Sequence, residues 1–297
     1  MVSSGTISDR VFNIANYFFL TLVLVVVAYP LYFIVIASFS DPFLVNDGKI
    51  WLIPRGIMFE GYERIFRDSR IWLGYGNTVF YTVAGVAVNL LATIPAAYAL
   101  SRRDLWGRNL VMGLFTFTML FGGGLIPTYL IIKSLGILNT RWVMIIPNAV
   151  AVWNLIIART FFQTTIPEDM LDAARIDGCT NFRFFTSVVL PVSPAIIAVM
   201  VLFYGVGHWN AFFEALIYIK DPKLYPLQLI LRSILIMNEA QTEMMEAADP
   251  DSVADQQRII EIIKYGLIMV ASVPVLMLYP FLQKYFVKGV MIGAIKG

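Results

Sequence analysis

The chain has 297 residues, of which 59% are apolar and 14% charged, and its mean hydropathy is +0.74. Soluble domains carry roughly 25% charged residues, so this chain has too little polar surface to face water on all sides, and lipid must be the solvent for much of it. The 22 basic and 20 acidic residues, with one His and the single cysteine Cys179, exclude a basic nucleic-acid-binding face, an internal disulfide and a cysteine-built metal site.

Six stretches contain no Asp, Glu, Lys or Arg: Val11–Ser40, Ile71–Ser101, Asn109–Ile132, Trp142–Ala158, Phe184–Phe213 and Tyr265–Gln283. A helix of about 20 residues crosses the hydrocarbon, and none of these runs alternates as a barrel strand would. The expected fold is therefore all-α, with six transmembrane helices. The polar leader MVSSGTISDR does not resemble a signal peptide, so the first run is expected to stay as an anchor. The segment Asp41–Arg70 follows, and in it Phe59, Tyr62, Ile65 and Phe66 have helical spacing. It is expected to lie on the outer membrane surface.

After the second run comes the short loop SRRDLWGR, with three arginines in eight residues. Total basic counts do not decide orientation, but short loops carry the positive-inside signal. Both termini are therefore read as cytoplasmic. The third run contains Gly122-Gly123-Gly124, three consecutive residues without side chains, which predicts a break or a close-packing point. The fourth run is short; it is expected to extend through Thr160-Phe161-Phe162, with Arg159 snorkelling from its end. Pro30, Pro95, Pro127, Pro147, Pro191, Pro194 and Pro274 predict kinks in the spans that hold them.

Between the fourth and fifth runs lies TTIPEDMLDAARIDGCTNFRFFTSVVLPVSP. Pro167 suits a first helical turn, Glu168, Asp169 and Asp172 suit its positive end, and Gly178 suits the position just past its C-terminus. Ala173 and Ala174 leave a shallow patch between them. These features fit a short capped surface helix as well as a docking element. The last connection, Lys220–Lys264, has six acids and no bases between Asn238 and Gln257. Its stretches Ser233–Ala248 and Ser252–Lys264 read as helices on the outer side, where they either contact a partner or space two spans.

No catalytic chemistry is legible. Paired intramembrane aspartates, an HExxH and a phosphate loop of the GxxxxGK[ST] type are all missing from the sequence. His208, beside Trp209, is read as a packing or hydrogen-bonding residue, with a proton-relay role as the alternative. The charge-free spans argue against coupling to an ion gradient. The chain is expected not to be an enzyme and to bind no cofactor or metal; any energy source must come from a partner, or there is none. Aromatic faces and amides suit sugars, which makes Trp153, Asn154, Tyr204, Trp209 and Asn210 candidates for a substrate pathway. Packing between helices is the competing account of each.

DAARIDG, followed after eleven residues by LP, resembles the coupling-loop motif of ATP-binding-cassette importer permeases. That motif usually begins Glu-Ala-Ala, and here Asp172 stands in the Glu position. GNTVFYTV, AAYALSRRDLWGR, GHWNAFF and QKYFVKGVMIGAIKG are similar to the carbohydrate-uptake subgroup, and FGGGLIPTYLIIKSLGILNT and YPLQLILRSIL to its complex-oligosaccharide and polysaccharide permeases. The resemblance implies a type I importer permease fold in the plasma (inner) membrane of a prokaryote. In that fold, residues 1–70 form the N-terminal segment with the first span and outer loop, 71–284 the transmembrane domain and 285–297 a cytoplasmic tail. It implies a coupling helix over 167–178, with Glu168, Asp172, Ala173, Ala174, Asp177, Gly178, Leu190 and Pro191 in the coupling loop. It also implies a homologous second permease, two ATPase subunits that bind the ATP and Mg, an extracytoplasmic solute-binding protein and a saccharide substrate. The rivals are an ion-coupled secondary transporter acting alone and a permease of the same fold for a non-sugar solute.

Overall fold

A computed structural model describes residues 7–245, 260–277 and 280. All regular structure among them is helical. The charge-free runs become α1 (Ile7–Ser38) and, after the short α2 (Pro42–Asn46) and α3 (Glu60–Arg67), α4 (Ser69–Ser101). The third run is a broken pair, α5 (Arg108–Leu120) and α6 (Leu125–Ser134), bent by 116°. The break falls on the glycine triplet: Gly124 has φ 84°, and a Cβ on any of the three would meet nothing closer than 3.7 Å. Of the two roles open to the triplet, the break is the one seen within this chain.

The fourth run does not become one helix. It starts as a single 3-10 turn over Arg141–Met144, continues without regular structure and becomes helical only at α7 (Val152–Thr165). At 1.5 Å per residue, that 14-residue helix is about 21 Å long, short of the hydrocarbon thickness. After α8 (Glu168–Ile176), the fifth run is also a broken pair, α9 (Asn181–Val192) and α10 (Pro194–Trp209), bent by 80° at Ser193. Pro191 and Pro194 each remove an amide donor there. Buried Ser193 donates its hydroxyl to the Val189 carbonyl at 2.7 Å, recovering an acceptor that the bend frees. The chain continues through α11 (Phe213–Tyr218) and α12 (Leu227–Met245) to α13 (Ile260–Met277). Pro30, Pro95 and Pro274 lie inside continuous helices. By length and composition α1, α4 and α13 are each sufficient to span a membrane, and the two bent pairs bring the number to five.

The chain divides into two units, one of residues 1–68 and 233–272, the other of 69–232 and 273–297. In the first, α1 is exposed through Tyr32, half-buried at Phe33 and Ile34, and buried at Ile36, Ala37 and Ser38; Ile36 and Ala37 pack with Val45 and Ile50. The expected helix at Phe59–Phe66 is α3. Its Tyr62 stacks on Phe39 at 5.1 Å and donates to the Ser38 hydroxyl at 2.8 Å. Gly61 lies directly under Ile262, and Gly266 under Ile65, so α3 and α13 approach at mutual glycines. Gly61→Leu is expected to cost about 1–3 kcal/mol through overpacking, measured as a lower melting temperature of the detergent-solubilised chain. Residues 246–259 and the tail 285–297 lie outside the described residues, so of the acidic segment 238–257 only the helical backbone to Met245 is seen.

In the second unit α4 is the spine, packed against α7 and α10. Its buried positions include Gly74, Asn77, Thr78, Tyr81, Gly85, Asn89 and Thr93, while Val79, Phe80, Val83 and Leu91 are exposed. This reverses the polarity of a soluble helix, as expected where lipid replaces water outside. Four of these buried polar side chains, Asn77, Thr78, Tyr81 and Asn89, bond directly to the backbone of segments beside α4. Asn77 donates to the carbonyls of Lys223 and Tyr225 at 2.7 and 3.1 Å, Tyr81 donates to Leu224, and Thr78 accepts from the Leu227 amide. Further along the same stripe, Asn89 donates to the carbonyls of Asn148 and Ala149 at 2.7 and 2.9 Å. Tyr204, hydrogen-bonded to Thr93 at 2.7 Å, accepts from the Ala151 amide at 3.2 Å. The unwound start of the fourth run is thus satisfied by side chains of α4 and α10, which is the condition for non-helical backbone at membrane depth.

Candidate functional site

The segment that resembles a coupling loop folds as α8. Pro167 stands at its N-cap, one residue ahead of the expected first turn, with Glu168 and Asp169 just inside. The C-terminus is a Schellman closure: the Gly178 amide donates to the Arg175 carbonyl at 3.0 Å and the Cys179 amide to the Ala174 carbonyl at 2.9 Å. This closure requires a left-handed residue, and Gly178 has φ 70°. Asp177 is the C-cap, its amide bonded to the Ala173 carbonyl. No residue of α8 is buried. Leu171 and Ala174 turn toward the core, while Ala173 is exposed, as are Met170 and Ile176 three residues to either side.

The inner flank of α8 meets the loop after α4. Together they line a cavity of about 750 Å³ with Arg102, Arg103, Asp104, Arg108, Glu168, Leu171, Asp172 and Arg175 on its wall. Arg103 pairs with Glu168 at 3.0 Å, and Arg175 pairs with Asp172 at 3.4 Å. Asp104 is shared between Arg102 at 2.5 Å and Arg175 at 2.6 Å, while Arg102 reaches Asn181 at 2.8 Å. The hydrogen bond from Arg102, reinforced by Arg175, holds the Asp104 carboxyl well below the usual carboxylate range. A depressed carboxylate contributes stability that is complete above the ordinary carboxylate range and is lost progressively as pH falls from there through the depressed value. The clamp therefore stays charged throughout the physiological range.

The structure brings Glu168 and Asp172 together on this cavity wall, with Ala173 and Asp177 on the exposed part of the same helix. Leu190 and Pro191 are elsewhere, in the last turn of α9 before the bend. The sequence reading missed three participants. Ile176 is 88% exposed, a large apolar side chain on a helix with no buried residue. Asp104 and Arg175 were passed over because their partnership spans 71 positions. A carboxylate amid arginines in SRRD was the available signal. Arg159 also differs from expectation: α7 runs six residues past it, and it donates to the Leu100 carbonyl at 3.0 Å instead of merely snorkelling.

The pathway candidates separate into two kinds. Asn154, Tyr204 and Trp209 are buried, Tyr204 in the hydrogen bonds above and Trp209 against the Tyr75 ring at 6.2 Å. Trp153 is 62% exposed, and exposed Asn210 donates to the Val206 carbonyl at 3.0 Å. His208 is buried with its Nε2 2.7 Å from the Asn89 Oδ1. A side chain on Gly85 would occupy the space of its ring. This is the packing and hydrogen-bonding reading of His208.

No protein-family model matches the chain. It is 39% identical over 293 residues to the protein LplC of Bacillus subtilis, covering 99% of this chain and 97% of that one. It is 40% identical over 289 residues to the polygalacturonan/rhamnogalacturonan transport system permease protein YtcP of the same organism, covering 97% and 99% respectively. Among solved structures, that of a bacterial ABC transporter involved in import of the acidic polysaccharide alginate superposes with a TM-score of 0.81. The two are 30% identical, and the match covers 95% of this chain and 99% of that one.

Proposed function

The chain belongs to the permease subunits of ATP-binding-cassette sugar importers, and on that premise we propose that it forms half of a translocation pathway for an oligo- or polysaccharide and transmits ATPase motion through α8. Relatives in this family are transport permeases and not enzymes. A homologous permease completes the pathway, two ATPases dock at α8 and its counterpart, and a solute-binding protein delivers the sugar on the opposite side. Both termini then face the cytoplasm. In this reading the irregular segment and α7 together make the fourth crossing, giving six spans.

The observation that carries the coupling role is the exposed face of α8 next to the Asp104 clamp. Closure of the ATPases on ATP moves α8, seated on one of them by Ala173 and Ile176. The clamp of Asp104 between Arg102 and Arg175 ties that motion to the end of α4. Along α4, the side chains of Asn77, Asn89 and Thr93 hold the irregular segments of the pathway wall. ATP binding and the loaded receptor thereby bias one two-state element from opposite sides. Trp153 and Asn210, exposed on this chain, are the pathway candidates that remain available to a sugar.

Two similar proteins carry names or descriptions that point to acidic polysaccharides, so uronate-containing oligosaccharides are the first substrates to test. Proteoliposomes holding the assembled transporter and its solute-binding protein are expected to take up labelled oligouronate only with ATP inside the nucleotide-accessible compartment. Uptake driven by a proton or sodium gradient without ATP would contradict the coupling role. ATP-driven uptake of a neutral oligosaccharide in preference would leave the coupling role standing and correct the substrate.

A further inference from the structure

The connection after α2 carries three consecutive exposed apolar residues, Trp51, Leu52 and Ile53, at 71%, 64% and 71% exposure. Such a run has no place in a water-facing loop. The loop is also not free to turn away. Ile50, immediately before it, is buried with Ile36 and Ala37 of α1. Two tyrosines of α1 then hold the backbone that follows: Tyr29 donates to the Trp51 carbonyl at 3.3 Å, and Tyr32 donates to the Leu52 carbonyl. The indole N–H of Trp51 is satisfied within the loop by the Gly48 carbonyl at 2.7 Å. The polar groups are turned inward and the apolar faces outward.

Its level relative to the bilayer follows from α1. That helix is charge-free from Val11 onward, and about 20 residues cross the hydrocarbon, so the crossing is complete near Pro30. Tyr29 and Tyr32 therefore stand at the far hydrocarbon boundary. The loop they grip has come back along α1 from Ser38 by more than a turn, to the same level. Arg55 flanks it, exposed, as does Lys49, which pairs with Asp47 at 2.7 Å. Aromatic side chains with cationic neighbours are what a headgroup boundary selects.

We propose that residues 49–55 form an interfacial anchor that inserts Trp51, Leu52 and Ile53 into the bilayer leaflet at the C-terminal end of α1, with Arg55 at the lipid phosphates. This ties the extramembrane unit around α3 to the membrane surface independently of the spans. The occupant of the apolar tip is lipid, since the tip stands where the apolar run of α1 completes its crossing, on the side of α1 where Tyr29 and Tyr32 are themselves exposed, while Phe33 turns to Tyr265.

The single native cysteine makes the test direct. In a Cys179→Ser background, a fluorophore is attached at Leu52→Cys or Ile53→Cys, with Glu63→Cys on α3 as the reference. The full chain is placed in nanodiscs, alone and in the assembled transporter, containing phosphatidylcholine brominated near the carbonyl end of its acyl chains. Quenching by bromolipid of about two-fold at positions 52 and 53, with little effect of aqueous iodide, is the expected result. Position 63 should show the reverse. Iodide quenching at 52 and 53 comparable to that at 63 would overturn the proposal. So would protection from both quenchers, which would mean that protein covers the tip.

Discussion

Asn89→Leu is expected to lower the melting temperature of the purified chain more than any other single substitution of a polar residue in α4. Asn89 serves three groups at once: its amide donates to the carbonyls of Asn148 and Ala149, and its oxygen meets His208. Each buried polar group left without a partner costs about 1–3 kcal/mol, and no water is present in the hydrocarbon to replace the missing donor. His208→Leu should cost less, because it leaves the two carbonyls satisfied and bares only one oxygen. Asn210→Leu is the control, since exposed Asn210 makes only a bond within its own helix turn. A melting temperature for Asn89→Leu equal to that of Asn210→Leu would show that the irregular segment is held by something other than this stripe.

The same stripe explains what the sequence conceals. Counting charges locates α1, α4, α13 and both broken pairs, because a charge at mid-depth is expensive and lipid-facing runs must do without it. Hydropathy cannot distinguish a helix from an unwound segment whose backbone is hydrogen-bonded by other elements. Trp142–Ala151 is charge-free like the spans, yet after one 3-10 turn it is unwound, because Asn89 and Tyr204 supply partners that helix geometry would otherwise supply. Pro147 was the local hint, and the six other span prolines gave the same hint with mixed outcomes. Pro30 and Pro95 sit in continuous helices, whereas Pro191 and Pro194 flank an 80° bend. What decides between these outcomes is whether a partner such as the Ser193 hydroxyl stands ready, and that is a tertiary fact.

At the candidate site the division falls along sequence distance. Pro167, the early acids and Gly178 mark α8 by local rules that operate within one turn, and the helix is found there. The clamp that joins it to the rest of the molecule pairs Arg175 with Asp104 far earlier in the chain. Nothing in either local sequence selects the other. Ile176 escaped for a different reason: an isoleucine at the end of a short helix reads as core, and only the structure shows it standing in the open.

Gly178→Val is expected to disable ATP-driven uptake while leaving membrane insertion unchanged. A Cβ at Gly178 would meet nothing within 4 Å, so the substitution acts through the backbone alone. With φ at 70°, an L-residue there costs about 1–2 kcal/mol, and a β-branched one more. That strain is relieved by opening the Schellman closure, which frees the Arg175 and Ala174 carbonyls and frays the last turn of α8. Arg175 is in that turn, so its hold on Asp104 weakens together with the position of Ile176. One to two kcal/mol changes the population of the ordered end by a factor of roughly 5–30. Uptake by the assembled transporter should fall by a comparable factor, while the amount of chain recovered in membranes stays constant. Gly178→Asn, which tolerates the left-handed region better, should fall between wild type and valine. Equal uptake by all three would show that the end of α8 carries none of the coupling.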